Sequence, residues 1–474
     1  MSKEKEKAEN LIDVNIEPME TGDIENEKLY KEQKRKYLIK GLSSIFSCTI
    51  HTCGYYTIFL LSHSMVYLIS FRKYYNPKIT FSHGYFLYPI MNFTLSLSIS
   101  AGGIIEKKIG PKKTISLSSL ILCLSFSLMY FSRNIFFDYI LMSLMGFGIA
   151  IGIKLNKRNA CSYFMNRKAL ISGIVTLVPS LVSAGLAIFY EKHILNPLSE
   201  SPTIENSYYD KNIFLNFQKL IIIEIGFLIL VCVLSLLTFY KNDPKETIKF
   251  GFGEKINENK NNKIENKLET KEKESQIKKA LYSKRSMKQF IMIFLLFPTI
   301  NFIYNTWRPI GIYYKIKTSY LQIIGALCSV TGSMSSIVFS IIGDRIQFKF
   351  IFCLFGVLLT FASFTFHLSF TNDILFVLEV LIAAFCFNGF NIIIDPHLMK
   401  VYGMENFVEI CGVIRSSSGI SGIFSVILAF YLENYFTGSK DYAYRIMYII
   451  SGLSGFLSFV LGLFESDDKF NYNI

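Results

Sequence analysis

The chain has 474 residues, of which 51% are hydrophobic and 15% aromatic, and a formal net charge of +13. Charge is crowded into a few stretches while long intervals carry almost none, which excludes an ordinary soluble domain and points to an integral membrane protein. Much of the basic surplus flanks the apolar runs, so it reads as a topology signal, and no nucleic-acid partner is expected.

A bilayer core about 30 Å thick takes roughly 20 apolar residues per helix. The apolar runs are continuous instead of alternating at period two, which argues against a closed barrel. Residues 1–41 form a polar tail, acidic first and basic at Lys34, Arg35, Lys36 and Lys40, with no apolar stretch of signal-peptide type before them. The first span is expected at 42–70, followed by a loop with Arg72, Lys73 and Pro77, and the second at 84–105. Lys107, Lys108, Lys112 and Lys113 crowd the next connection; spans at 114–132, 137–162, 169–190 and 218–240 complete the first set. Residues 241–287 are rich in Lys, Glu and Asn without apolar periodicity, and read as a charged linker. Six more spans follow near 288–312, 321–342, 350–370, 374–399, 406–433 and 442–464, then a short tail at 465–474. The expected fold is all-α and membrane-integral: twelve transmembrane helices as two six-helix, pseudo-symmetric bundles, 42–240 and 288–464. All nine cysteines fall inside the spans, so a disulfide framework is not indicated.

The basic end of the N-terminal tail, the 107–113 connection, the Arg167-Lys168 joint and the middle linker would share one side, which the positive-inside rule makes cytoplasmic. Both termini are then expected inside.

Three cations interrupt the fourth span. Lys154, Lys157 and Arg158 are spaced i, i+3, i+4 and so share one helical face, and Lys154 lies about 13 Å below the end of the helix, near the bilayer midplane. A cation there costs about 2.5–3.5 kcal/mol on insertion scales, so the face should meet water or an anion. Arg415, about nine residues into the eleventh span, is a midplane cation of the other half. The expectation is that Lys154 or Arg158 faces Arg415 across a central cavity and that an organic anion bridges them. The competing reading lets Lys157 and Arg158 snorkel to the surface while Glu409 or Asp395 neutralises Arg415. Polar stripes mark further inward faces: Ser47, His51 and Tyr55; Asn301, Asn305 and Arg308; Asn388, Asn391 and Asp395. Of these, His51, Asn305, Asn388 and Asn391 are candidate substrate contacts, with interhelical hydrogen bonds of about 0.6 kcal/mol each as the bland alternative. His51 and Asp395 are the titratable members, hence the candidates for a coupling proton. Glu224, His367 and Glu379 read as structural groups.

Two short connections carry a family resemblance. Between spans two and three stands Gly102-Gly103-Ile104-Ile105-Glu106-Lys107-Lys108-Ile109-Gly110-Pro111-Lys112-Lys113, and between eight and nine Ser340-Ile341-Ile342-Gly343-Asp344-Arg345-Ile346-Gln347-Phe348-Lys349. Both resemble the cytoplasmic loop motif Gly-x-x-x-Asp-Arg/Lys-x-Gly-x-Arg/Lys of the major facilitator superfamily, which recurs once per half. The second keeps the acid-base pair but has Ser and Gln where the family has Gly; the first puts Lys107 at the acid position with Glu106 one place early. The resemblance implies a carrier whose Glu106, Asp344 and Arg345 act as gating latches between two rocking halves. Gly146-x-Gly148 followed by Tyr163-Phe164-x-x-Arg167-Lys168-x-Leu170-x-x-Gly173 is similar to the monocarboxylate porter and oxalate:formate antiporter branch. In that branch basic residues of the eighth and eleventh helices hold a dicarboxylate; Arg415 matches the eleventh-helix role, and the eighth span has no Lys or Arg.

An enzyme is not expected. The chain has no phosphate loop of the Gly-x-x-x-x-Gly-Lys-Ser/Thr type, no His-Glu-x-x-His and no Cys-x-x-Cys, and no cofactor or metal is implied. The expected function is secondary transport of a small organic solute, first a monocarboxylate-type anion with a proton as candidate co-substrate. The alternatives are an amino-acid or pantothenate-like solute, and a receptor-like member that moves nothing. A monomer in the bilayer is expected.

Overall fold

A computed structural model describes residues 21–190 (without 64, 80 and 85), 193–194, 215–243, 246, 277–369 (without 315 and 317), 372–436, 440–466 and 468. Regular structure among these residues is helical throughout: α1 (Thr21–His63), α2 (Met65–Tyr75), α3 (Leu87–Ile109), α4 (Pro111–Phe131), α5 (Ile135–Ser162), α6 (Lys168–Tyr190), α7 (Asn216–Thr238), α8 (Lys284–Tyr313), α9 (Thr318–Ile342), α10 (Phe348–Thr365), α11 (Asp373–Tyr402), α12 (Phe407–Tyr435) and α13 (Lys440–Gly462). Eleven helices, α3 to α13, are long and apolar enough to cross a membrane. The apolar run of the first segment is shared between α1 and α2, which completes a twelve-span, all-α membrane fold.

The packing repeats. In the first half α1 packs on α6 and α7, α3 on α5, and α4 on α5 and α7; in the second half α8 packs on α12 and α13, α9 on α11, and α10 on α11 and α13. The halves meet along two equivalent seams, α3 with α12 and α6 with α9. Small residues make both seams close: a Cβ on Gly412 would stand 2.4 Å from the Ser100 backbone nitrogen, and one on Gly173 would stand 3.0 Å from the Ser336 carbonyl.

Two readings of the sequence change. The polar tail does not end at 41 as a separate piece, because α1 runs unbroken from Thr21 into the first span. Arg72 is not in a loop: it is buried in α2, donating to both Asp138 carboxylate oxygens at 2.6 and 3.0 Å and to the Ser132 and Met129 carbonyls at the end of α4. Every charge in that group is matched, which is what lets an arginine sit at helix-end depth. Much of the middle linker, residues 247–276, lies outside the described residues. The nine cysteines are free, buried or half-buried.

Call the face at which Lys40, Lys107, Arg167 and Asp344 lie the base. The halves are joined there. Asp344, in the α9–α10 connection, accepts from the backbone nitrogens of Ala169 and Leu170 at 2.9 and 3.2 Å, capping α6 of the other half. Lys107 at the end of α3 pairs with Glu409 at the start of α12 at 2.5 Å. Pro396 inside α11 has no N–H for the Ile392 carbonyl, and Ser172 of α6 fills that carbonyl at 3.1 Å.

Candidate functional site: a cation-floored cavity between the halves

The Asn134 side chain caps the start of α5 on the Phe136 nitrogen, and the helix then runs through Lys154, Lys157 and Arg158 to Ser162. Packing divides the three cations. Lys154 and Lys157 are buried and turn toward α11, whereas Arg158 is half-buried and pairs with Glu106 of α3 inside its own half.

On α11, Asp395 is wholly buried. Its carboxylate accepts from Lys154 at 2.8 and 2.6 Å and from Lys157 at 2.8 Å, both across the boundary between halves. A terminal nitrogen of Arg415 stands 3.4 Å from the same carboxylate. Arg415 spends its other terminal nitrogen on the Asn391 side-chain oxygen at 2.9 Å, and lies over the Phe390 ring at 5.7 Å. Its Nε and its remaining terminal nitrogen have no hydrogen-bond partner among the described residues. Three cations thus surround one carboxylate, leaving a surplus of two positive charges.

Above this cluster lies a cavity of about 190 Å³ between the halves, room for about six waters. Lys154, Lys157 and Arg415 form its floor; Tyr88, Asn92 and Ser183 carry it toward the face opposite the base. None of its lining residues is acidic among those described.

Among the expected contacts, Lys154, Arg415, Asn388 and Asn391 line this cavity, and Asp395 sits directly beneath it against Lys154. Arg158 does not line it. Neither does His51, which is buried inside the first half, bonded to Ser119 at 3.1 Å and to Tyr55, and 3.3 Å from the Asn156 amide. The Asn305 side chain lies outside the described residues. Asp344 and Glu106 are at the base, Asp344 bridging the halves and Glu106 tied within one; Arg345 is exposed and makes no ion pair among the described residues.

Sequence reasoning passed over the hydroxyl wall on α6, where Thr176, Ser180 and Ser183 face the cavity. The signal was present as Ser172, Thr176 and Ser180 at spacing four, one stripe of a helix. Asn92 of α3 was also missed.

The family model described as Major Facilitator Superfamily matches residues 213–426. No curated protein matches the chain by sequence. Among solved structures, the proton:xylose symporter XylE bound to 6-bromo-6-deoxy-D-glucose aligns with TM-score 0.62 at 10% identity, over 90% of this chain and 94% of that one. The fucose:proton symporter FucP of E. coli aligns with TM-score 0.60 at 11% identity, over 90% and 99%. The human organic anion transporter MFSD10 aligns with TM-score 0.61 at 9% identity, over 90% and 99%. At such identities the likeness is one of fold, and none of the three is described as a monocarboxylate porter or an oxalate:formate antiporter. Residues 213–426 thus match the Major Facilitator Superfamily by sequence, and the chain as a whole has the multi-pass, all-helical membrane fold of these solved transporters.

Proposed function

We propose that the chain carries a small organic anion by alternating access, with Arg415 and Lys154 as the seat of its carboxylate. The observation behind this reading is Arg415. It is nine-tenths buried on a cavity wall with no acidic residue among the described lining; its Nε has no hydrogen-bond partner among the described residues, and one terminal nitrogen is held only by the 3.4 Å ion pair with Asp395. A buried guanidinium with unmade hydrogen bonds is costly by several kcal/mol; a carboxylate entering the cavity offsets that cost by accepting both.

The same anion would work the gate. In the base-closed arrangement Asp395 of one half holds Lys154 and Lys157 of the other. A substrate carboxylate at the floor competes with Asp395 for Lys154 and Arg415, so its arrival weakens the bonds that keep the base shut. Lys107–Glu409 and the Asp344 cap on α6 are the outer members of the same latch. A proton delivered to Asp395 would remove the counter-charge of both lysines and loosen the same bonds, which makes Asp395, and not His51, the point at which a proton gradient would act. Under the positive-inside rule the base is the cytoplasmic face, with both termini there.

The test is uptake into proteoliposomes of labelled lactate, oxalate, pantothenate and a neutral amino acid, each with and without an inward proton gradient. Saturable uptake of a simple acid supports the reading. Uptake of the amino acid or pantothenate alone transfers the cavity to that solute class, and absence of any flux favours a receptor-like role.

A further inference from the structure

The uncharged part of the cavity wall is as informative as its floor. A hydroxyl group has one proton to donate and two lone pairs to offer. Thr176 and Ser180 give their protons to carbonyls of their own helix, those of Ser172 and Thr176, at 2.8 Å each. Ser96 gives its proton to the Asn92 carbonyl and Ser418 to that of Arg415, each at 2.7 Å. Part of the remaining acceptor capacity is spent inside the protein, where Ser96 and Ser418 stand 3.4 Å apart and Ser180 shares a hydrogen bond with the Tyr56 hydroxyl; what is left faces the cavity as oxygen lone pairs, and a solute that complements it must carry donors. A plain aliphatic carboxylate has none.

Those donors fit hydroxyl groups better than an ammonium. The floor already has two more cations than carboxylates, and the lining has no acidic residue to balance a third. Asn301 adds the opposite polarity: its side-chain nitrogen is a buried donor without a partner among the described residues, suited to the lone pair of a solute hydroxyl.

Asn301 and Arg415 line one cavity of about 190 Å³, which sets the size of the solute at a few carbons.

We propose that the solute is a small polyhydroxylated carboxylic acid, bound with its carboxylate on Arg415 and Lys154 and its hydroxyl groups against Asn301 and the Thr176–Ser180 wall. This rests on the anion reading above and narrows it. The test uses the full-length protein in proteoliposomes and four labelled four-carbon probes: erythronate, butyrate, threonine and the neutral polyol erythritol. The expected result is a KM for erythronate at least tenfold below that for butyrate, with little uptake of threonine or erythritol, because a site built for hydroxyls rejects the analogue that lacks them. Asn301→Leu, and separately the milder Ser180→Ala, should each raise the erythronate KM severalfold and the butyrate KM by a clearly smaller factor. Butyrate entering as well as erythronate overturns the hydroxyl assignment and leaves the anion reading standing. Erythritol entering as well as erythronate, with no effect of Arg415→Gln, overturns the anion reading and this proposal with it. Preference for threonine, or no uptake of either acid, overturns the proposal as well.

Discussion

Arg415 concentrates the argument at the residue scale. Its charge at membrane depth was conspicuous in the sequence, because a lone cation inside an apolar helix has few explanations. Which of the α5 cations would join it was not legible: Lys154, Lys157 and Arg158 share one helical face by spacing, and only the presence of Glu106 on α3 turns Arg158 aside. The α6 hydroxyls were illegible for another reason, since serine and threonine in apolar helices bond their own backbone and resemble filler. His51 shows the converse, a conspicuous residue whose ring is satisfied between α1, α4 and α5. Neutralising Arg415 (Arg415→Gln) should weaken substrate affinity about 10- to 100-fold, the worth of a charge-assisted bond of about 1.5–3 kcal/mol, read as KM in proteoliposome uptake. Glu465, just past α13, tests the base of the second half independently of transport. Burial works to raise its carboxyl, and bonds with His397, Lys288 and Gln289 outweigh that and hold it at about 2, below the ordinary 4.5. A depressed carboxyl contributes stability above its unfolded value that is lost as pH falls from about 4.5 toward about 2. Glu465→Gln should therefore lower the melting temperature at neutral pH and flatten its decline on acidification, measured by thermal unfolding in detergent.

At the scale of elements, span positions were legible because each apolar run is long and its basic flanks are distinct. Ends were less so: the Arg72-Lys73 pair reads as the edge of the membrane, yet α2 continues to Tyr75 because Asp138 and two carbonyls take the guanidinium. The seams depend on small residues. Gly412→Val should force α3 and α12 apart and cut uptake at least tenfold in protein that still elutes as a single species, checked by transport beside size-exclusion chromatography. Asp344 holds α6 of the other half through two backbone N–H groups, a contact that needs no charged partner. Asp344→Ala should favour the base-open arrangement, as should Asp395→Asn, which removes the counter-charge of Lys154 and Lys157. Spin labels at Lys112 and Arg345, placed on opposite halves at the base in a cysteine-depleted background, should report longer distances in both variants. Unchanged distances would separate these contacts from the gate.

For the whole molecule, the six-plus-six plan follows from where apolar runs and the linker fall, and the repeat of helix pairings shows the two halves built alike. What sequence could not supply is how the halves close at the base, because that depends on contacts between residues far apart in the chain, such as Lys154 with Asp395, 241 positions on. The direct check on an anion carrier of this design is counterflow: proteoliposomes loaded with an unlabelled simple acid and given a trace of the labelled acid outside. Wild-type protein should show a transient, saturable accumulation of label, and correctly inserted Arg415→Gln protein should lose most of it at the same concentration. Equal accumulation by the two proteins would contradict the account.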